Sequence, residues 1–253
     1  MISVKSKSEL EKMRLAGKIS ANALHYGGQS IRVGMSTYEL DKIIHDYIVK
    51  NGAKPNFLGY GGFPGSACIS INNKVIHGIP SKHEFIKDGD IVSIDTGAVI
   101  DGFNGDNAYT FAVGNVSEEA KQLLRVTEEA LYKGIEQAVV GNRIGDISHA
   151  VEEHVTSYGY GVVKKYVGHG VGTKLHESPE IPNFGKPGRG PRLVAGMTIA
   201  IEPMINAVGE EVLDNFPDGW TVLTKSGSLS AHFEHTVAIT SDGPVILTKP
   251  TII

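Results

Sequence analysis

The chain has 253 residues, and its hydrophobic content of 41% and charged content of 21% are ordinary for a soluble globular protein. A formal net charge of −4 gives no general attraction to nucleic acid or to an anionic membrane. The one cysteine, Cys68, excludes an internal disulfide framework, and the chain lacks an apolar signal core and any run of about 18 apolar residues. We therefore expect a cytoplasmic protein with no membrane contact and no specific nucleic-acid partner.

Helix and strand signals alternate along the chain. A capping box at Ser8 and Glu11 predicts the start of a first helix, and a second helix is predicted from Ser36 to Gly52. Two further helices are predicted over about 117–138 and 145–158. The strand candidates are residues 66–72, 90–96, 106–113, 162–167, 197–202, 220–225 and 233–240. Helices followed by strands, twice over, predict an α/β (α+β) fold in which helices cover a mostly antiparallel sheet.

One structural half is predicted to occur twice, at an offset of 107 residues. Asp95 and Glu202 each end a β-branched run at this offset, and glycines agree with it, among them Gly34 and Gly141. We therefore predict a single catalytic domain over 1–253, with internal halves of about 8–114 and 115–247. Each half delivers a carboxylate at the same strand end, so the two acids are expected to meet where the halves meet.

Asp95 and Asp106 flank a strong hairpin signal. The dipeptide Asp101-Gly102 predicts a two-residue turn, which would place Gly97 opposite Asp106 and Asp106 diagonal to Asp95 on one face. Gly97 is expected to leave space above both carboxylates. Two like charges so close would protonate unless a cation lies between them. The alternative is that one or both acids face water, as strand acids usually do.

Three further residues favour a metal site. Glu202 and Glu234 lie in apolar strand sequences, and His169 lies between glycines that let the backbone approach a ligand. Four buried carboxylates carry four negative charges, which two divalent cations would neutralise. Oxygen-rich ligation with one imidazole suits Mn²⁺, Fe²⁺, Co²⁺ or Zn²⁺.

At this point the sequence resembles the type I methionine aminopeptidases, in their compact bacterial form. The matching stretches are Ile-His77-Gly-Ile-Pro, Ser-Ile-Asp95-Thr-Gly, Gly-Asp106-Asn, Gly-His169-Gly-Val-Gly, His176-Glu-Ser-Pro, Ile-Glu202-Pro-Met and Ala-His-Phe-Glu234-His-Thr. The resemblance runs from the first helix to about Leu247 and implies the pita-bread fold, with two pseudo-symmetric halves and a curved sheet. Only 25 residues separate His176 from Glu202, which leaves no room for the extra helical subdomain of type II enzymes.

The resemblance also implies a set of site residues. Asp95, Asp106 and Glu234 would hold one metal, while Asp106, His169, Glu202 and Glu234 would hold the other. The catalytic residues would be His77, His176 and Glu202, and the two histidines would also contact substrate. The methionine pocket would be lined by Tyr60, Phe63, Cys68, Leu175 and Trp220. A monovalent cation near Asn72 and Ser230 would complete the cofactors, and Phe57, Gly61 and Gly97 depart from some relatives.

The implied activity is removal of the initiator methionine from nascent proteins when the second residue is small, by a metal-activated hydroxide that attacks the scissile carbonyl. The implied partners are N-terminal peptides of nascent chains and, transiently, the ribosome, for a protein that is itself a monomer. Two alternatives remain open from the sequence. One is an aminopeptidase on the same fold that cleaves X-Pro bonds, and the other is a non-catalytic scaffold that holds a peptide or RNA.

Overall fold

Two pairs of helices cover one side of a large sheet in a computed structural model that describes residues 2–251. Positions 1 and 252–253 of the predicted domain lie outside the described residues. The helices are α1 (Lys7–Gln29), α2 (Thr37–Lys50), α3 (Glu118–Glu136) and α4 (Ile144–Ser157). Within residues 2–251, no helix combines the length and the apolar character that crossing a membrane requires.

The first helix begins two residues earlier than its sequence predicts. Ser6 is the N-cap, and its hydroxyl accepts a hydrogen bond from the amide of Glu9 while the Glu9 carboxylate accepts one from the amide of Ser6. The predicted box at Ser8 and Glu11 is therefore wrong, and both side chains lie in solvent. The two pairs have the same spacing, so local sequence could not choose between them.

The strands are short except at the centre. They are β1 (Lys54–Pro55), β2 (Ala67–Ile71), β3 (Lys74–Ile76), β4 (Ile91–Ile100), β5 (Phe103–Ala112), β6 (Gly161–Val162), β7 (Gly168–Gly170), β8 (Glu177–Ile181), β9 (Thr198–Ile201), β10 (Met204–Asn206), β11 (Val212–Leu213), β12 (Val222–Thr224), β13 (Ser230–His232), β14 (Glu234–Thr240) and β15 (Gly243–Ile246). The predicted strand over 162–167 is wrong, because only its first residue pairs, within β6, before the chain turns into β7.

The main sheet brings strands from both ends of the chain together. Its order is β1-β4-β5-β14-β9-β7-β8, with β2 added on β4 and β15 on β14, and the pairings are antiparallel. Two three-stranded sheets, β13-β10-β6 and β11-β12-β3, complete the fold. The curved, mostly antiparallel sheet under helices confirms the predicted fold class.

The central hairpin has the predicted turn. Asp101 and Gly102 both have positive φ, 51° and 78°, as a tight turn between twisted strands requires. The register then places Gly97 opposite Asp106 and Asp95 opposite Ala108.

The core consists of two main clusters of apolar side chains. One joins α1 and α2 to β2 and β4, and the other joins α3 and α4 to β9 and β14. Helix α1 also crosses β5 at very close range, because a Cβ on Gly105 would lie 2.5 Å from the Cα of Gly17. This contact holds the part of β5 that carries Asp106 directly against the helix.

Candidate active site

A cavity on the concave side of the main sheet gathers the residues that the sequence singles out. Its wall is formed by the twelve residues predicted to be catalytic, substrate-binding or metal-binding, together with the ring of Phe57. They are Phe57, Tyr60, Phe63, Cys68, His77, Asp95, Asp106, His169, Leu175, His176, Glu202, Trp220 and Glu234.

The five candidate ligands come from five strands that lie side by side. In the sheet order β4-β5-β14-β9-β7, each strand carries or directly precedes one of them. In that order the ligands are Asp95, Asp106, Glu234, Glu202 and His169. Because neighbouring strands are only about 5 Å apart, this order by itself brings the side chains within range of shared ions.

The candidate ligand atoms lie close together, but no hydrogen bond joins one of these five side chains to another. Atoms of Asp106, His169 and Glu234 lie within 4.8 Å of one another. The Nε2 atom of His169 is 3.7 Å from Asp106 Oδ2 and 3.5 Å from Glu202 Oε1. Within residues 2–251, Asp95 Oδ1, Asp106 Oδ1 and Glu234 Oε1 are buried and have no hydrogen-bond partner. Such orphaned oxygens fit divalent cations, which are bound by carboxylate oxygen and imidazole.

Burial works against ionisation of the four acids. It raises the pKa of Asp106 to about 7, and it raises the pKa values of Asp95, Glu202 and Glu234 well above their ordinary range, with neighbouring negative charges adding to the effect. Without a cation this cluster would therefore hold protons near neutral pH. A bound cation would reverse that balance by favouring the charged carboxylates.

The tautomer of His169 leaves a nitrogen free for a metal. Its Nδ1 lies 2.9 Å from the carbonyl oxygen of Gly170, which can only accept, so Nδ1 carries the proton and Nε2 carries the lone pair. Burial, assisted by the neighbouring His176, lowers the pKa of His169 to about 3. The imidazole is therefore neutral, as a metal ligand must be.

The two other candidate histidines also line the cavity. His77 has a φ of 59°, a backbone conformation that is uncommon for a residue other than glycine, and its ring lies edge-on to Trp220. Burial lowers its pKa to about 4. The ring of His176 lies 4.0 Å from that of His169, and its Nδ1 is 2.9 Å from the hydroxyl of Tyr60.

The remaining wall is apolar. Phe57, Phe63, Cys68 and Leu175 form one buried cluster, against which Trp220 packs, and the Phe63 and Trp220 rings meet edge to face at 5.1 Å. Burial raises the pKa of the Cys68 thiol well above its ordinary value, so it remains a neutral apolar lining group. Phe57 thus belongs to this wall, and Gly61 approaches it too, since a Cβ there would lie 3.2 Å from the Trp220 ring.

The expectation that Gly97 leaves open space above the acids is wrong. A Cβ on Gly97 would lie 2.3 Å from the side-chain oxygen of Asn56, which fills that position. Asn56 lies there because the preceding residues, in β1, pair with Val99 and Ala98 of β4. The backbone amide of Asn56 then donates to the carbonyl of Gly97. The missing side chain therefore accommodates a neighbouring residue rather than a ligand.

His232 borders the site, although its sequence context did not single it out. It is 1% exposed, and its Nε2 lies 3.5 Å from Glu202 Oε2 without a hydrogen-bond partner in the described chain. Its position two residues before Glu234 was the available signal. Asn72 and Ser230 also come together, since the amide of Ser230 donates to the carbonyl of Asn72.

Comparison with known proteins identifies the class to which this fold and site belong. The chain matches metallopeptidase family M24 over residues 11–241. It is 54% identical to a methionine aminopeptidase of Clostridium acetobutylicum, over 98% of this chain and 99% of that one. It is 51% identical to methionine aminopeptidase 1 of Bacillus subtilis, over 98% of this chain and 100% of that one.

Solved structures agree with the sequence relatives. The methionine aminopeptidase from Thermotoga maritima has a TM-score of 0.96 and 47% identity, covering 98% of this chain and 100% of that one. A prolidase from Pyrococcus furiosus reaches a TM-score of 0.78 and 26% identity, but only 66% of its chain is covered. The chain therefore belongs to metallopeptidase family M24 and, within it, to the methionine aminopeptidases.

Proposed function

We propose that this protein hydrolyses the peptide bond after an N-terminal methionine when the second residue is small. The proposal rests on the observation that two features lie next to each other in one cavity. A cluster of buried carboxylates and a neutral imidazole lies directly against a short apolar wall. The wall suits a flexible thioether side chain, for which aromatic edges and a buried thiol are favourable neighbours.

Two divalent metals are the proposed cofactors, drawn from Co, Mn, Fe and Zn. Asp95, Asp106 and Glu234 would hold one ion, and Asp106, His169, Glu202 and Glu234 would hold the other. The orphaned carboxylate oxygens and the free Nε2 of His169 support this assignment. When bound, the metals supply Lewis-acid chemistry that activates water for attack on a carbonyl.

The chain's own residues would guide the reaction. We propose that Nε2 of His176 donates a hydrogen bond to the oxyanion that develops on the scissile carbonyl. His77, which lines the same cavity, would hydrogen-bond the peptide beyond the cleaved bond. Glu202, whose carboxylate lines the same cavity, would carry the proton from the nucleophile to the leaving amine.

The substrate-binding residues are proposed to be His77, His176, Tyr60, Phe63, Cys68, Leu175 and Trp220. The partners would be N-terminal peptides of nascent chains, met in the cytoplasm by a monomer in transient contact with the ribosome. A monovalent cation at Asn72 is a further proposal, supported by that residue's left-handed backbone, with a φ of 55°, and by its nearness to Ser230.

A peptide assay tests the proposed function. Three preparations of the protein are compared: as purified, stripped by a chelator, and reloaded with Mn²⁺ or Co²⁺. Each is incubated with Met-Ala-Ser, Met-Leu-Ser and Ala-Pro-Ala. We expect release of methionine from Met-Ala-Ser far faster than from Met-Leu-Ser, lost on chelation and restored by metal. Preferred cleavage of Ala-Pro-Ala would instead indicate an X-Pro peptidase.

The matched control for this assay is Asp106→Ala. Its carboxylate belongs to both proposed ligand sets, so its loss should reduce the rate by at least about a hundredfold if metal-assisted attack is the mechanism. A scaffold without catalytic activity would show equal, negligible rates for both proteins. Circular dichroism of the variant verifies that it remains folded.

A further inference from the structure

The hydroxyl of Tyr60 reaches across the mouth of the cavity to His176. The two residues are 116 positions apart in the chain, and the oxygen lies 2.9 Å from Nδ1. Their rings are stacked, with centroids 5.3 Å apart and planes 26° from parallel. A pocket wall made of aromatic edges would not need this hydroxyl, because the lining contacts come from the ring.

The backbone around Tyr60 is shaped to present this side chain. Gly59 and Gly61, on either side, have φ values of 82° and 56°, which side chains rarely tolerate. The turn is closed by hydrogen bonds from the Tyr60 amide to the Phe57 carbonyl and from the Phe63 amide to the Tyr60 carbonyl. Both sides of the Tyr60 peptide are therefore held while the ring extends towards His176.

We infer that Tyr60 is a positioning residue whose O–H donates to Nδ1 of His176 and so keeps the proton of this imidazole on Nε2. A neutral imidazole carries one N–H, and whichever nitrogen accepts leaves the other as the donor. A phenol is a good donor at neutral pH. Polarisation through the ring also makes Nε2–H a stronger hydrogen-bond donor, because linked hydrogen bonds reinforce one another.

This inference rests on the proposed role of His176 and deepens it. If His176 stabilises an oxyanion, only the tautomer with the proton on Nε2 can act. Without the tyrosine hydroxyl, part of the population would carry the proton on Nδ1 and present a lone pair to the substrate oxygen. The loss would appear in turnover rather than in binding, because a phenylalanine keeps the stacked ring and the pocket volume.

The kinetic test compares Tyr60→Phe in two backgrounds, the metal-loaded protein and its His176→Ala variant. In the unaltered background, kcat for Met-Ala-Ser should fall about threefold to tenfold with KM within about twofold, as expected for one neutral hydrogen bond. In His176→Ala the same change should have no further effect. Equal losses in both backgrounds, or a change in KM alone, would overturn the inference. Tyr38→Phe, a similarly exposed tyrosine on α2 at 41% against 46% for Tyr60, is the matched control and should leave kcat unchanged.

A second measurement does not depend on activity. Nitrogen-15 NMR of histidine-labelled, zinc-loaded protein distinguishes protonated from unprotonated ring nitrogens, and His176→Ala assigns the signals. We expect His176 to carry its proton on Nε2 in the starting protein and to become a mixture of tautomers in Tyr60→Phe. An unchanged tautomer would refute the inference even if Met-Ala-Ser were not a substrate. Failure of the proposed function alone would appear as inactive starting protein with this spectral change intact.

Discussion

At Asp106 the backbone is held firmly, while one of the two carboxylate oxygens is left without a partner in the described chain. The Asp106 amide donates to the hydroxyl of Thr236, and that hydroxyl donates to the Asp106 carbonyl at 2.8 Å. The side-chain oxygen Oδ1, by contrast, has no partner among residues 2–251. A carboxylate whose main chain is fixed and whose oxygen is unsatisfied suits the proposed cation, at the cost of destabilising the metal-free state.

The raised pKa of Asp106 predicts proton release when metal binds. Between its ordinary value of 3.8 and about 7, the folded metal-free chain holds a proton that the unfolded chain has lost. This group's contribution to stability therefore declines as the pH rises through that interval. Metal must displace the proton, so calorimetric titration with Mn²⁺ at about pH 6.5, in buffers of different ionisation enthalpy, should show protons released. The Asp106→Asn variant should release fewer protons when metal binds. Release of no protons by the starting protein would contradict the raised pKa of Asp106.

At the scale of elements, the crossing of α1 and β5 positions the site. Gly105 faces the backbone of α1 at Ala16 and Gly17 there, and the residue after Gly105 is Asp106 itself. Because the atoms that a side chain at Gly105 would meet belong to the backbone of α1, no rotamer change can make room for it. The helix and strand can approach this closely only because Gly105 lacks a side chain, whereas a Cβ on Gly17 would meet the carbonyl oxygen of Leu247, at 2.6 Å.

Gly105→Ala should therefore both destabilise the fold and weaken the metal site. We expect a loss of about 1–3 kcal/mol in the free energy of unfolding, measured by urea denaturation, since the added methyl forces a backbone shift. Metal affinity should fall as well, because the shift moves Asp106. Ala112→Val, which enlarges an exposed position on the same strand, is the control and should change stability by less than about 0.5 kcal/mol. Equal stability of the two variants would count against the close packing.

For the whole molecule, the proposed metal ligands come from both predicted halves. Asp95 and Asp106 lie in the first, and His169, Glu202 and Glu234 lie in the second. They meet only when β14 pairs with β5 and with β9. The buried acids, with carboxylate oxygens that lack partners among residues 2–251, weaken this junction in the absence of a cation, so metal binding and the joining of the halves are expected to be coupled.

This coupling predicts thermal stabilisation by metal. At a free metal concentration about a hundred times the dissociation constant, the folded state should gain about 2.7 kcal/mol, seen as a higher Tm in scanning calorimetry. Asp95→Asn and His169→Ala, on opposite halves, should each reduce that gain. Asp242→Asn, at an exposed turn, should not. A full gain in both ligand variants would mean that metal stabilises the protein at some other place.

The predictable features depend on short stretches of sequence. The Asp101-Gly102 turn and the second helix with its Ser36 cap both follow from adjacent residues, and the structure agrees with them. The candidate ligands could be named for the same reason, since each lies in a short local motif. The prediction that Asp95 ends its strand is wrong, however, because β4 continues to Ile100. Their roles stay predictions, but their meeting in one cavity is observed.

What local sequence left open was decided by contacts between distant segments. Ser6 and Ser8 offer equivalent caps, so the start of α1 depends on how the helix packs. Asn56 fills the space at Gly97 only because β1 adds to the sheet edge. Likewise, Tyr60 meets His176 only after a glycine turn and a separate strand come together. By itself the sequence determined the local geometry and the chemistry available, because backbone preferences act over a few residues. The tertiary structure decided which of those groups touch, because register and loop paths arise from packing of the whole chain.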